Sequence, residues 1–182
     1  MNRLKKHYEE IIRFDMIRKF NYINPHMIPK LDKIVVNMGV KEAALDKKQI
    51  LAPLLILELI TGQKAIITKA KKSISNFKIR KGFPIGVSVT LRGDNMYEFL
   101  SRLITVVLPK IRDFKGIPMT SINKDGNLAI GIKDLLVFPE IESEYDKFNR
   151  VYGANIVLVT TAKTKKEAGV LLSGFQIPLK IR

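Results

Sequence analysis

Residues 85–92 alternate without a break: Ile85, Val87, Val89 and Leu91 fall on one side of an extended chain, and Gly86, Ser88, Thr90 and Arg92 on the other. Successive side chains of a strand point to opposite faces, so the segment predicts a strand with one buried and one polar face. Such a strand belongs in a sheet whose apolar side is covered and whose other side stays open. The covering elements can be read around it. Leu4, Tyr8, Ile12, Met16 and Phe20 recur every four residues and stack along one helix face. Pro25 and Pro29 break that helix, and the β-branched run Ile34–Val36 predicts a strand ending near Asn37-Met38-Gly39.

Asp46 followed by Gln49 has the spacing of a capping box, and Gly62 suits the residue just past a helix end, so a Leu- and Ile-rich helix is expected between them. Lys64–Lys69 reads as a strand and residues 70–83 as a long basic loop. Asp94 is expected to cap the next helix, where Leu100, Leu103, Ile104, Val107 and Leu108 have helical spacing and Pro109 ends or kinks the run. Asn123–Asn127 is a dense turn signal. Leu128, Ile130 and Ile132 alternate after it, Ile156–Thr161 predicts a fifth strand, and Thr164 with Glu167 opens a last helix. The order αβαββαββα predicts an α+β fold, a mostly antiparallel sheet with helices packed on one face. No repeat or linker interrupts the 182 residues, which suit a single domain of ~100–200 residues.

Composition removes whole classes of chemistry. With no Cys there are no disulfides, thiolate metal sites or thiol nucleophiles. The longest apolar run, Ile50–Ile60, is about half the ~20 residues that cross a bilayer, and it contains Pro53 and Glu58. Residues 1–20 are charged throughout and lack the apolar centre of a secretory signal. Glu9, Glu10 and Asp15 there favour a structural helix over a mitochondrial presequence. Thirty-two Lys and Arg against 17 Asp and Glu give a net charge of +15, which points to a polyanionic partner.

That charge is concentrated. Between Glu58 and Asp94 there is no acid, while Lys64, Lys69, Lys71, Lys72, Lys78, Arg80, Lys81 and Arg92 carry eight positive charges. A solvated face ordinarily mixes signs. Ile74, Phe77, Ile79 and Phe83 interleave with the cations; they can pack on sugars or bases, or simply anchor the loop. Asn37, Thr90 and Arg92 would share the open sheet face, where exposed strand residues are the ordinary alternative.

Glu140, Glu142, Glu144 and Asp146 form an acidic patch after Phe138-Pro139. No His or Cys lies near them, so a solvated loop or a docking site for a basic protein is expected rather than a metal or acid–base centre. His7 and His26, the two histidines, flank an apolar helix and a Pro-rich turn and suit packing. Walker A, GxGxxG and GxSxG motifs are absent, and Arg92-Gly93-Asp94 fits a strand end followed by a cap. The sequence is not that of an enzyme, and it calls for no cofactor.

Ten stretches, taken in order, resemble the universal large-subunit ribosomal protein five family. They are Asn37-Met38-Gly39-Val40, Thr61-Gly62-Gln63-Lys64, Ile67–Ser73, Phe77-Lys78-Ile79-Arg80, Pro84-Ile85-Gly86, Val89–Gly93, Phe99-Leu100 with Arg102-Leu103-Ile104, Pro109–Phe114, Phe138–Ile141 and Thr160–Thr164. The resemblance implies a ferredoxin-like core and a place in the central protuberance of the large subunit beside its other proteins and rRNA. It implies that Asn37, Gln63 and Thr90 hydrogen-bond 5S rRNA while Lys64 and Arg92 meet phosphates. Lys71, Lys72, Lys78, Arg80 and Lys81 would contact P-site tRNA. It also implies a bridge to small-subunit protein thirteen, a basic protein, for which Glu140, Glu142, Glu144 and Asp146 are a suitable face. No homo-oligomer is expected. Lys41 and Ala65 replace a Gly and a Pro frequent in the family, without touching an RNA-facing side chain.

The high Ile and Lys content suggests an A+T-rich genome, and Leu171–Phe175 resembles mitochondrially encoded members more than bacterial or plastid ones; organelle encoding would account for the expected lack of a presequence. Two other classes remain open. An RNA-modifying enzyme on the same basic face would need a catalytic constellation. A membrane-surface protein would bind anionic lipid through the Lys-rich loop, and fits poorly with a regular polar strand.

Overall fold

The computed structural model describes residues 2–44, 46–112, 114–144, 148 and 150–180. The N-terminal helix runs as α1 (Arg3–His7), a π turn (Tyr8–Ile12) and α2 (Arg13–Phe20). At 3.6 residues per turn, a step of four overshoots by about 40°. The wider π turn offsets that drift, so Ile12 and Met16 are both buried and Tyr8 still reaches Phe175, ring to ring at 6.0 Å.

Strand β1 (Leu31–Gly39) is longer than its β-branched run. Ile34, Val36 and Met38 are buried, and Asn37 and Gly39 are exposed. Asp46 accepts the Lys48 N–H at 3.0 Å and caps a 3-10 turn (Lys47–Ile50) leading into α3 (Leu51–Thr61). Gln49 donates its side-chain amide to the Asp46 carboxylate at 3.4 Å. Gly62 ends α3 with φ +65°, in the left-handed region that only glycine adopts freely.

Strands β2 (Ile66–Lys69) and β3 (Pro84–Leu91) pair antiparallel, with Ile66 opposite Ser88 and Thr68 opposite Gly86. The expected loop beyond them is an ordered hairpin. Ala70 N–H donates to Phe83 O at 2.8 Å, Gly82 N–H to Ala70 O at 2.9 Å, and Ile74 and Ile79 exchange main-chain bonds.

Helix α4 (Gly93–Arg102) departs from expectation at its start. Gly93 turns through φ +60° directly after the extended Arg92, so Asp94 falls inside the first turn instead of capping it, and pairs with Lys5 at 3.0 Å. A second π turn (Leu103–Val107) and α5 (Leu108–Lys110) carry the helix through Pro109. Strand β4 (Ile117–Pro118) is followed by the expected Asn123–Asn127 turn, then β5 (Leu128–Ile132), α6 (Pro139–Glu142) and β6 (Ala154–Thr160). Helix α7 (Lys165–Gly174) opens on a complete capping box between Thr164 and Glu167. Strand β7 (Leu179–Lys180) pairs parallel with β4, a two-residue contact that no alternation announces.

The main sheet has the order β2-β3-β1-β6-β5. The elements β1-α3-β2-β3-α4-β6 in that order form the ferredoxin-like βαββαβ arrangement, with β5 added at the edge. The fold is α+β with a mostly antiparallel sheet, as expected. The chain forms two compact units, each built from separated segments. One comprises residues up to Ile34, Arg92–Ile130 and those from Val157; in it the N-terminal helix lies against α4 and α7. There Lys30 and Thr161 clasp each other. Thr161 N–H donates to Lys30 O at 2.9 Å, and Lys30 N–H to Thr161 Oγ1 at 3.0 Å. The other comprises Val35–Leu91 and Gly131–Ile156, with α3 packed against β3 and α6 over a core that includes Met38, Ile56, Leu57, Ile60 and Leu91.

Candidate nucleic-acid interface

Within the unit containing Val35–Leu91, the sheet has one open face. Because Val36, Met38, Val87, Val89 and Leu91 point inward, the alternate positions Asn37, Gly39, Ser88 and Thr90 point out. Asn155 on β6 does the same, between the buried Ala154 and Ile156. Gly86 sits where no side chain fits. A Cβ there would lie 2.6 Å from the Met38 carbonyl oxygen and 2.9 Å from Thr68 Oγ1. Small residues thus keep this part of the face flat, with amides and hydroxyls around it.

The turn after α3 is fixed from three sides. The Thr61 hydroxyl donates to Leu57 O at 2.6 Å, Ala65 N–H donates to Glu58 Oε1 at 3.1 Å, and the Gln63 side-chain amide donates to Thr90 O at 3.2 Å. Gln63 and Thr90 are therefore brought together, with Lys64 exposed beside Gln63 in the chain. Asn37 lies on β1, the strand next to β3, and faces the same side. Arg92 is exposed one residue past β3.

The ladder places the five loop cations on a hairpin. Lys71, Lys72, Lys78, Arg80 and Lys81 are all exposed. Together with Lys64 and Arg92 they form no ion pair among the described residues. Their charge is available to an external anion. Of the four interleaved apolar residues, Ile79 and Phe83 are half-buried, and Lys47 Nζ stands 5.9 Å from the centre of the Phe83 ring. Ile74 and Phe77 remain exposed, Phe77 at 70%.

Glu140, Glu142 and Glu144 lie on α6 and the turn after it, away from the basic hairpin in sequence; Asp146 falls outside the described residues. His7 Nε2 is 3.2 Å from Gly174 O, a packing contact within the first unit. Among the described residues no helix is long and apolar enough to cross a membrane.

Thr68, Ile66 and Asn155 were not singled out by sequence reasoning. Thr68 and Ile66 could have been placed on the open face once their hairpin register with Gly86 and Ser88 was known. For Asn155 the signal was the alternation of Asn155, Val157 and Val159 with buried residues.

Comparison with known proteins bears on the same segments. Residues 24–80, which carry β1, α3, β2 and the hairpin tip, match Ribosomal protein L5, and residues 84–179 match the C-terminus of the same ribosomal protein family. The chain is 91% identical, over its full 182 residues and the full length of the relative, to the large ribosomal subunit protein uL5m of Reclinomonas americana. These matches run through both compact units, and they make the open sheet face and its basic hairpin features of a ribosome constituent rather than of a catalyst: the chain belongs to the ribosomal protein L5 family.

Proposed function

We propose that this constituent of the large ribosomal subunit anchors 5S rRNA in the central protuberance of a mitochondrial ribosome. Asn37, Gln63 and Thr90 would bond sugar hydroxyls and base edges, and Lys64 and Arg92 would pair with phosphates. Side-chain amides suit that work because they donate and accept together. Lys71, Lys72, Lys78, Arg80 and Lys81 on the hairpin contact the P-site tRNA backbone, and the acidic α6 region meets basic small-subunit protein thirteen. The whole chain acts as one RNA-binding domain among the rRNA and proteins of the protuberance.

The observation that carries this reading is the juxtaposition of Gln63 with Thr90 on the polar open face of the sheet, with exposed, unpaired cations and no acid between Glu58 and Asp94. Bulk charge alone gives binding that falls steeply with salt and ignores sequence; a shaped polar face adds selectivity. A salt titration of binding to 5S rRNA and to an unrelated RNA of equal length tests it, with wild type and the Asn37→Ala/Thr90→Ala pair. The expected result is a margin for 5S rRNA at moderate salt that the double variant loses. Equal binding of both RNAs by both proteins would remove the site assignment.

A further inference from the structure

The tip of the basic hairpin is built, not merely flexible chain. Ile74 N–H donates to Ile79 O at 2.9 Å and Ile79 N–H to Ile74 O at 3.2 Å, closing the four residues Ser75–Lys78. Inside that closure Ser75–Phe77 form a 3-10 turn, and Lys78 N–H donates to Ser75 O at 2.9 Å. Lys78 takes the left-handed conformation, φ +55° and ψ 29°, which is uncommon for a residue other than glycine. Lower down, Lys81 N–H donates to Ser73 Oγ at 3.0 Å and keeps the two arms together. The turn therefore holds its apex residue at a set position beyond the strand ends, and that residue is Phe77, 70% exposed with Ile74 beside the turn at 45%.

A single exposed phenyl on a protein surface is ordinary. This one stands on a rigid turn, encircled in sequence by Lys71, Lys72, Lys78, Arg80 and Lys81, with no acid from residue 59 to residue 93. A protein pocket for the ring would need to bring a matching collar of acids. An RNA brings both things at once, phosphates for the cations and a flat base face for the ring.

We propose that Phe77 is a stacking residue: its ring lies against the exposed face of a nucleobase in the structured RNA that the hairpin engages. This rests on the reading of the hairpin as a tRNA contact and adds a base-directed element to what would otherwise be a phosphate clamp. Stacking tolerates any base, since each has a π-face, so the contact senses an accessible base at a given place rather than a sequence.

The chain contains no Trp, so Phe77→Trp in the full-length protein creates a single reporter. Its emission is followed while an in vitro transcribed tRNA is added, and separately with inorganic polyphosphate, which offers charge without bases. Affinities and salt slopes for the tRNA are measured in parallel for wild type, Phe77→Ala and Phe77→Tyr. The expected result is quenching by tRNA and not by polyphosphate at equal occupancy. Phe77→Ala should bind about tenfold more weakly with the salt slope unchanged, and Phe77→Tyr should retain affinity. Equal quenching by polyphosphate, or wild-type affinity in Phe77→Ala, would overturn the stack and leave the RNA contact standing. Failure of every variant, wild type included, to bind tRNA while 5S rRNA still binds would remove the tRNA reading and the stack with it. Loss of binding to both RNAs would remove the proposed function as a whole.

Discussion

The Gln63 side-chain amide donates to the Thr90 main-chain carbonyl at 3.2 Å, tying the turn after α3 to the end of β3. The two residues are 27 positions apart, and their hydrogen bond sets the spacing between them on the surface proposed above to meet 5S rRNA. Gln63→Ala should therefore act twice. Denaturant unfolding should show a loss of about 0.5–1.5 kcal/mol, that of one hydrogen bond, and filter binding should show 5S rRNA affinity lowered by roughly 2- to 10-fold.

Gly86 tests how close β3 must approach β1. A Cβ at Gly86 would press on the Met38 carbonyl oxygen, which is backbone and cannot swing aside, whereas one at Gly39 meets nothing within 4 Å. Gly86→Ala is expected to cost about 1–3 kcal/mol, as overpacking does. Gly39→Ala should stay within ~0.5 kcal/mol. Urea midpoints of the two variants provide the comparison, and similar losses would contradict the packing described.

The hairpin cations should show in the salt dependence. Each lysine that neutralises a phosphate contributes about 0.7–0.9 to the slope of log K against log salt. Lys71→Ala/Lys72→Ala should make that slope shallower by about 1.4–1.8 for tRNA binding, with little change in the unfolding curve because both residues are exposed. An unchanged slope would place those lysines off the RNA.

Helix α7 depends on its first turn. Glu167 N–H donates to Thr164 Oγ1 at 3.3 Å, and Glu167 Oε2 accepts from Thr164 N–H at 3.3 Å and Lys163 N–H at 3.0 Å. Thr164→Ala should lower stability by about 1 kcal/mol, read from the thermal or urea transition.

Tyr97 sets an alkaline limit. Burial, aided by the nearby Tyr8, Glu9 and Asp94, pushes its phenol from 10.0 up to about 12. The folded protein thus holds this proton more tightly than the unfolded chain does. Its stabilising contribution is complete below pH 10 and is lost as pH rises from about 10 to 12. Tyr97→Phe should lose less stability across that window than wild type, and its phenolate absorbance titration should lack one component near pH 12.

The strands were legible because their inward positions repeat. Ile85–Leu91 and Leu128–Ile132 could be placed by alternation alone, and the Thr164–Glu167 box by spacing. Asp94 was misplaced because its fitness as a cap says nothing about Gly93, whose left-handed turn opens the helix with Arg92 as its cap, two residues earlier. The β4–β7 pair was invisible, since two residues are too few for any period. The basic segment was legible as charge, but not as a hairpin. The cross-strand bonds of Ile74 with Ile79 and Ala70 with Phe83 depend on pairing that no local pattern encodes. Among Ile74, Phe77, Ile79 and Phe83, composition could not say which ring would stay in solvent.

The clasp between Lys30 and Thr161 spans 131 positions of chain. At roughly 5–20 residues per second, synthesis delivers Thr161 about 7–26 seconds after Lys30. Throughout that interval the first strand's start has no clasp partner, and for much of it the lysines of the hairpin have already been made. Lys30 and Thr161 belong to one unit and the hairpin to the other, so the hairpin's own cross-strand bonds can close while the clasp still waits for residues from Val157 onward.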